Sequence, residues 1–271
     1  MTKNEINEAR QMMVAQDNAL IRGYKNLLTA QEQNVVYYLI SKVKPADKDF
    51  MTVHTTVRDL CDIFGMSKDS NNYGDLYNAL KALRNKSVWA HDKDRNTDEL
   101  LSWIDTYKIE RDTGKVSATL SQSVKPFLIG LKNRGNYTQA ELVTYLGMKS
   151  KYAKRLYELL KSRVRMKYPD AYSPAAAEYA LEELKRLLDA ELYVHYRNFK
   201  QKVLDPAMAE ITAATDIIAS YEPVKEGRKT TAIVFSMQLK EPRGRSTALA
   251  SARAALDKKK APGRAKTKTG Q

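Results

Sequence analysis

The 271-residue sequence predicts an α+β fold that is mainly helical and contains two domains of similar plan. A chain of this length usually divides into two domains. Apolar residues at helical spacing alternate with short strand-like runs, and this order of elements occurs once in each half of the chain. The predicted divisions are a flexible N-terminus (1–17), a first domain (18–135), a second domain (136–240) and a disordered basic tail (241–271).

The composition excludes several classes of protein. With 43% hydrophobic and 29% charged residues, the chain is typical of a soluble folded protein. No run approaches the roughly 18 apolar residues of a bilayer span, and the opening MTKNEINEAR lacks the apolar core of a signal peptide, so we expect a cytoplasmic protein without membrane contact. One cysteine, Cys61, and three scattered histidines predict no disulfide, no metal site and no cofactor.

The first domain has the element order of a winged helix. Thr29 and Glu32 form a capping box that opens a helix over 30–43. Thr56 caps a second helix, which ends at Gly65, and a third helix precedes a strand-rich region. Strand-like runs are expected at 50–53, 87–91, 101–109 and 116–120. Three helices followed by a hairpin are the plan of a winged helix.

The second domain repeats this plan. Helices are expected over 137–146, 150–164, from Ser173-Pro174 onward, and over 196–211, with strands at 217–221 and 231–239 around a loop that contains Gly227. Pro206 falls inside the helix at 196–211, because the apolar stripe that begins at Phe199 and repeats every four residues extends beyond the proline. Either the helix kinks near Lys202 or a new helix starts with Asp205 as its cap.

The net charge predicts a polyanionic partner. Lysine and arginine number 46 against 32 acidic residues, a net charge of +14, which favours nucleic acid. Residues 240–271 hold ten basic residues against two acidic ones, have no aromatic residue and are rich in alanine, which predicts disorder. Residues 149–167 hold eight basic residues against Glu158 alone.

Six segments resemble those of a known family. In chain order they are LLTAQEQNVVYYLI, LCDIFGMS, YGDLYNALKALRNKSVW, KSKYAKRLYELLKS, FKQKVLDPAMAEI and GRKTTAIVFSM. Together, over residues 18–240, they resemble the iteron-binding plasmid replication initiators. The resemblance implies two winged-helix domains, binding of directly repeated origin sites as a monomer, opening of A+T-rich DNA, and recruitment of the host initiator ATPase and replicative helicase. It also implies a dimer that represses its own promoter, and a continuous, kinked helix through Pro206.

The helix at 196–211 is the candidate reader of bases. In a winged helix the second helix of the helix-turn-helix enters the major groove. With Phe199, Val203, Ala207 and Ile211 in the core, the outward side chains near its start are Arg197, Asn198, Lys200, Gln201 and Lys202. Arginine and lysine donate to guanine, whereas asparagine and glutamine pair with adenine. The alternative is a polar surface helix without a partner.

Two further sets are expected to contact the DNA backbone. The first comprises Lys149, Ser150, Lys151, Tyr152, Lys154 and Arg155, and the second comprises Lys225, Arg228 and Lys229 at the predicted wing tip. Lysine and arginine neutralise phosphates and release counterions, which raises affinity without reading sequence. The alternatives are a solvated helix face and an ordinary polar hairpin tip.

The first domain offers a weaker set. Asn71, Asn72, Lys81, Arg84 and Lys86 lie on or beside its third helix and are expected to contact the DNA backbone. The resemblance implies that this domain also forms the dimer interface. Trp89 and Trp103 fall on its strands, where core packing is the simpler interpretation and an exposed aromatic would suit a protein interface.

Nothing in the sequence predicts an enzyme. Nicking initiators need a histidine-hydrophobe-histidine pair and a nucleophilic tyrosine, but His54, His91 and His195 are far apart. A GxxxxGK[ST] phosphate loop is also lacking. The competing interpretation is a transcriptional repressor that binds one inverted repeat as a stable dimer.

Overall fold

The computed structural model describes residues 1–23, 25, 27–67, 70–92, 96–164 and 174–258, and only the backbone of 70–72, 88 and 90–92. Its α-helices are α1 (Lys3–Gln11), α2 (Asn18–Gly23), α3 (Ala30–Ile40), α4 (Val57–Phe64), α5 (Ser70–Asn85), α6 (Leu131–Arg134), α7 (Leu142–Gly147), α8 (Lys151–Lys161), α9 (Leu181–Leu188), α10 (Tyr196–Phe199), α11 (Asp205–Ala214) and α12 (Pro242–Lys258). A 3-10 helix covers Gln122–Phe127, and a π-helical segment covers Lys200–Leu204. Within these ranges no helix is long and apolar enough to cross a membrane.

The strands form small antiparallel sheets. They are β1 (Met13–Asp17), β2 (Val53–Thr56), β3 (Ser87–Asp92), β4 (Thr97–Ser102), β5 (Ile104–Ile109), β6 (Lys115–Leu120), β7 (Tyr137–Glu141), β8 (Ala175–Ala180), β9 (Ile217–Glu226) and β10 (Lys229–Leu239). The strand orders are β1-β7, β2-β6-β5, β3-β4 and β8-β10-β9. Each three-stranded sheet contains one long hairpin, β5-β6 or β9-β10, which is the wing of its domain.

Local capping chemistry sets the helix boundaries of the first winged helix. Both bonds of the predicted capping box between Thr29 and Glu32 are present at the start of α3. The Thr56 hydroxyl accepts the Asp59 amide at 3.0 Å and caps α4, which ends at Gly65 with φ +67°. The sequence predictions at these three boundaries are confirmed.

The strands of the first domain differ in detail from the prediction. The run expected at 101–109 is two strands, because β4 pairs with β3 while β5 pairs with β6. The short strand expected at 50–53 is β2, which begins at Val53 and pairs with β6. The β3-β4 hairpin therefore stands apart from the three-stranded sheet and its wing.

Two segments predicted as helix are strands. Residues 137–141 pair with β1 as β7, with Ala15 opposite Gln139. Residues 175–180 pair with β10 as β8, with Ala177 opposite Phe235. The sequences TQAE and AAAEYA have no strong strand propensity, so tertiary pairing decides their conformation.

The prediction of a flexible N-terminus is wrong. Residues 1–17 contain α1, which has a capping box between Thr2 and Glu5, and β1. Val14 is fully buried. The side chain of Arg10 is also buried, and it donates to the carbonyl oxygens of Ile63 (2.8 Å) and Asp62 (3.1 Å) at the C-terminal end of α4. The segment is therefore anchored by backbone pairing and by one buried guanidinium.

The prediction of a disordered tail is wrong for residues 242–258, which form α12, whereas residues 259–271 lie outside the described range. Small apolar side chains at steps of four, Ala248, Ala252 and Leu256, are buried. The helix packs on α7 and on α11. The guanidinium of Arg253 lies 3.2 Å from the Glu141 carboxylate, and Asp257 lies 2.9 Å from the guanidinium of Arg10.

Candidate nucleic-acid interface

The candidate reading helix is continuous from α10 through the π-helical segment to α11. Phe199 and Asp205, the residues at the two junctions, both have φ −59° and ψ −47°. Pro206 lacks an N–H, and in an α-helix its ring would collide with the carbonyl of the residue four before it, Lys202. A π turn widens the helix at this position. The continuous helix is confirmed, and its π turn includes Lys202, the residue whose carbonyl Pro206 would otherwise meet.

The division of this helix into a buried and an outward face follows the prediction. Phe199, Val203, Ala207 and Ile211 are at most 1% exposed. The five predicted base readers, Arg197, Asn198, Lys200, Gln201 and Lys202, are all exposed. Four of them make no side-chain hydrogen bond or ion pair with any residue that the structure describes, and the exception is Lys200, whose ammonium lies 2.7 Å from the Asp205 carboxylate. The outward face therefore presents two cations and two amides that are free for a ligand.

The wing beside this helix is longer than predicted. Strands β9 and β10 extend over ten and eleven residues and meet at Gly227, which has φ +62°. A turn of this kind needs left-handed backbone, which glycine adopts without strain. Lys225, Arg228 and Lys229 are exposed at this tip, as expected. They add positive charge at the end of the wing.

Of the residues at the start of α8 that were predicted to contact the DNA backbone, some already have partners within the protein. Ser150 caps the helix by accepting the Tyr152 amide at 3.1 Å. Lys149 is exposed, whereas Lys151 is half-buried, with its ammonium 2.9 Å from the Asp189 carboxylate and 5.1 Å from the centre of the Tyr152 ring. Partial burial raises the pKa of Tyr152 to about 12, so this phenol stays neutral at physiological pH. Only Lys149 offers an unpaired charge here among the described residues.

The predictions for Lys154 and Arg155 are wrong because both side chains are buried. The ammonium of Lys154 donates to the Tyr145 carbonyl, and the guanidinium of Arg155 donates to the Ile21 carbonyl at 2.6 Å. The guanidinium of Arg155 also lies 3.2 Å from the Glu158 carboxylate, and both of these side chains have zero exposure. Neither cation can reach a phosphate from this position.

The error at Lys154 and Arg155 comes from the position of α8 in the molecule. Lys154 and Arg155 were expected on an exposed face of this helix, but every residue from 153 to 160 is buried. Helices α2, α3, α9 and α11 all contact it. The one available signal was Glu158, a single acid three residues after Arg155 in an otherwise basic and leucine-rich helix, since buried charges are paired.

The first domain presents fewer of the expected contacts. Lys81 and Arg84 are exposed on α5, whereas the side chains of Asn71 and Asn72 lie outside what the structure describes. Lys86 has a structural contact, because its ammonium lies 2.7 Å from the Glu32 carboxylate that forms the capping box of α3. Of the described side chains in this set, Lys81 and Arg84 are exposed on the surface.

Sequence reasoning missed the basic wing of the first domain. Lys108, Arg111 and Lys115 flank the turn between β5 and β6. Lys108 is 74% exposed, and Arg111 and Lys115 are exposed as well. Arg111 packs 5.7 Å from the centre of the Tyr77 ring on α5, which ties the wing to the helix. The sequence signal for this wing was the turn Asp-Thr-Gly with basic residues on both sides. The tip of the second wing has a similar pattern.

The two tryptophans differ in exposure. Trp103 is 1% exposed and belongs to the core. Trp89 is 60% exposed on β3, directly opposite Leu100 of β4, which is 54% exposed. The β3-β4 hairpin therefore carries an apolar cross-strand pair on its outer face.

Within the described ranges, no three His, Cys, Asp or Glu side chains are placed to share a metal ion.

Two winged helices in one chain, each with an exposed helix and a basic wing, define a tandem winged-helix DNA-binding protein. The chain belongs to the initiator replication protein family. The model of its first winged-helix domain, "Initiator Replication protein, WH1", matches residues 13–161, and that of "Initiator Rep protein, WH2" matches residues 180–237. The expected boundary at 135 differs from this division, since the first model also includes β7, α7 and α8.

Two solved structures are similar to this chain. The Pi initiator protein, crystallised in complex with iteron DNA, matches with a TM-score of 0.67 at 20% identity, and the match covers 86% of this chain and 99% of that one. Domains 2 and 3 of RctB match with a TM-score of 0.44 at 10% identity, over 79% of this chain and 83% of that one. The tandem winged-helix architecture predicted from the sequence is confirmed.

Proposed function

We propose that this chain is a plasmid replication initiator that binds directly repeated sites, iterons, in double-stranded origin DNA. The observation that carries the proposal is the outward face of α10 and the π-helical segment, where Arg197, Asn198, Gln201 and Lys202 are exposed and unpaired among the described residues. These are the side chains that pair bidentately with guanine and adenine. Membership of the initiator replication protein family and the shared fold with the Pi initiator, whose structure contains iteron DNA, support it.

The two domains contribute differently to this binding. The second domain reads bases with its helix and contacts phosphates with Lys225, Arg228 and Lys229 on its wing. The first domain holds the backbone with Lys81 and Arg84 on α5 and with its own basic wing. Because two unlike winged helices lie in one chain, a monomer covers about two turns of DNA without a partner, which suits directly repeated sites.

The remaining parts of the proposed activity involve other proteins. The bound initiator opens neighbouring A+T-rich DNA and recruits the host initiator ATPase and the replicative helicase. A dimer of the same chain represses its own promoter. The exposed pair Trp89 and Leu100 on the β3-β4 hairpin supports a protein interface in the first domain, because an exposed apolar pair of this kind is typical of contact surfaces.

A footprint of the purified protein on the DNA around its own coding region tests this proposal. We expect several evenly spaced protected sites in direct orientation, with permanganate-reactive thymines in adjacent A+T-rich DNA. The experiment is done at physiological salt, because nonspecific binding by a chain of net charge +14 rises steeply at low salt. A single protected inverted repeat over a promoter, without distortion elsewhere, would instead identify a transcriptional repressor.

A further inference from the structure

Lys200 and Asp205 form an ion pair across five residues of one helix. The Nζ atom of Lys200 lies 2.7 Å from a carboxylate oxygen of Asp205. In an α-helix, positions five apart differ by about 140° around the axis and do not face each other. In a π turn, hydrogen bonds run from residue i to i+5, and here the Asp205 amide donates to the Lys200 carbonyl. The side-chain pair and the backbone bond therefore mark the same π turn.

Tyr221 joins this pair to the wing. Its hydroxyl donates to the Asp205 carboxylate at 2.6 Å, and the Lys200 ammonium lies 5.9 Å from the centre of its ring. The ring also packs against Phe235 of β10, a fully buried side chain, at 6.0 Å between ring centres. Partial burial and the Asp205 carboxylate raise the pKa of Tyr221 to about 12, so the hydroxyl keeps its proton and can donate.

The π turn runs through the reading face of the helix, and Gln201 and Lys202 lie within it. Arg197 and Asn198 precede it, whereas Ala207 and Ile211, which follow it, are buried in the core. The extra residue in the turn changes the rotation of the first part of the helix relative to the second part. A bidentate contact with a base edge requires the side chain at a defined angle, so this rotation decides which bases Arg197 and Asn198 can pair with.

We propose that Lys200, Asp205 and Tyr221 are positioning residues that fix this rotation, and that Lys200 controls specificity without contacting DNA. The inference rests on the proposed function, since it assigns a role within the same DNA-reading helix. Its competitor is a direct role, in which Lys200 leaves Asp205 and binds a phosphate. The two differ in what they predict for sequence discrimination and for salt dependence.

The ion pair should fix the position of the helix and contribute little to the stability of the protein. Lys200 and Asp205 are 46% and 48% exposed, and exposed ion pairs contribute little to the free energy of unfolding. Removing one member should leave the protein folded, with a melting temperature close to that of the wild type. A change in DNA discrimination in such a variant then reports on the position of the helix.

The test uses Y221F, which removes one oxygen, D205N, which removes the charge, and K200M. E222Q is the matched control, because it removes one acid from the neighbouring exposed position of β9 without touching the cluster. For each variant, the dissociation constant is measured for the protected repeat and for a scrambled duplex over a series of salt concentrations. Amide exchange of residues 200–205 in the free protein is followed in parallel.

We expect Y221F and D205N to lower the discrimination ratio, the dissociation constant of the scrambled duplex divided by that of the protected repeat, at least about fivefold. The salt slope should stay unchanged, and amide exchange in the π turn should become faster. E222Q should keep the wild-type ratio. The proposal is overturned if Y221F and D205N keep that ratio, or if K200M weakens both duplexes equally and lowers the salt slope by about 0.9, the value for one phosphate contact. A wild-type protein that does not discriminate the repeat would overturn the proposed function, and this inference with it.

Discussion

Gly147 of α7 lies directly beneath Ala252 of α12, so closely that a Cβ atom on Gly147 would come within 2.7 Å of the Ala252 Cβ. A similar close approach occurs at Gly65, where an added Cβ would lie 2.6 Å from the Leu256 carbonyl oxygen. Helix α12 follows the last strand of the second domain but packs on elements of the first. It therefore ties the C-terminal part of the chain to both winged helices.

Enlarging Ala252 should destabilise the protein. An Ala252→Leu substitution forces extra carbons against Gly147, and overpacking of this kind costs about 1–3 kcal/mol, so we expect the melting temperature to fall by roughly 2–10 °C. Ala254→Leu is the matched control, since Ala254 is exposed on the same helix. Thermal unfolding followed by circular dichroism measures both variants. Equal melting temperatures would show that α12 does not pack as described.

Replacing Arg155 should affect folding and leave phosphate contacts unchanged. Arg155→Met leaves the buried Glu158 carboxylate without its guanidinium partner, which costs about 3–5 kcal/mol. Urea unfolding measures this loss. In the folded protein, the dependence of DNA affinity on salt should keep its wild-type slope, whereas Lys149→Ala, at the exposed start of the same segment, should lower it. A reduced slope for Arg155→Met would restore the original prediction of a DNA contact.

The sequence predicts those parts of the fold whose causes are local. Thr29, Thr56 and Gly65 act on backbone groups within one turn of themselves, so their patterns predict where α3 begins and where α4 begins and ends. Strands β7 and β8 have composition compatible with helix, and their conformation comes from pairing with β1 and β10, which are distant in sequence. Helix α12 was missed because alanines bury little area individually, and its packing is close because glycines, Gly147 and Gly65, lie opposite Ala252 and Leu256.

The candidate site was predictable to a similar extent. Spacing alone separates the buried Phe199 and Val203 from the exposed Arg197 and Gln201, because a surface helix has one apolar stripe. The same rule failed for Arg155, since α8 is surrounded by other helices and has no solvated face over residues 153–160. The pairing of Lys200 with Asp205 needed the π turn, which no periodicity of 3.6 residues predicts.

The exposed apolar pair on the β3-β4 hairpin should contribute to self-association. Trp89→Ala removes the larger side chain of the pair formed with Leu100, so we expect the monomer–dimer equilibrium to shift toward monomer by at least about tenfold, since an interface aromatic often contributes more than 1 kcal/mol. Sedimentation velocity over a range of protein concentrations measures the shift. Leu192→Ala is the control, because Leu192 is 71% exposed in the second domain. Equal shifts in the two variants would argue against the hairpin as the interface.

Base contacts and phosphate contacts should respond differently to substitution. Gln201→Ala removes a bidentate partner of adenine, so it should weaken the specific complex by about 1–3 kcal/mol and leave nonspecific binding nearly unchanged. Arg228→Ala on the wing should weaken binding to every duplex and lower the salt slope by about 0.9. Titrations of the protected repeat and of a scrambled duplex at several salt concentrations separate the two effects. If Gln201→Ala weakened both duplexes equally, the helix from Tyr196 onward would be a phosphate contact, and base reading would have to come from another element of the chain.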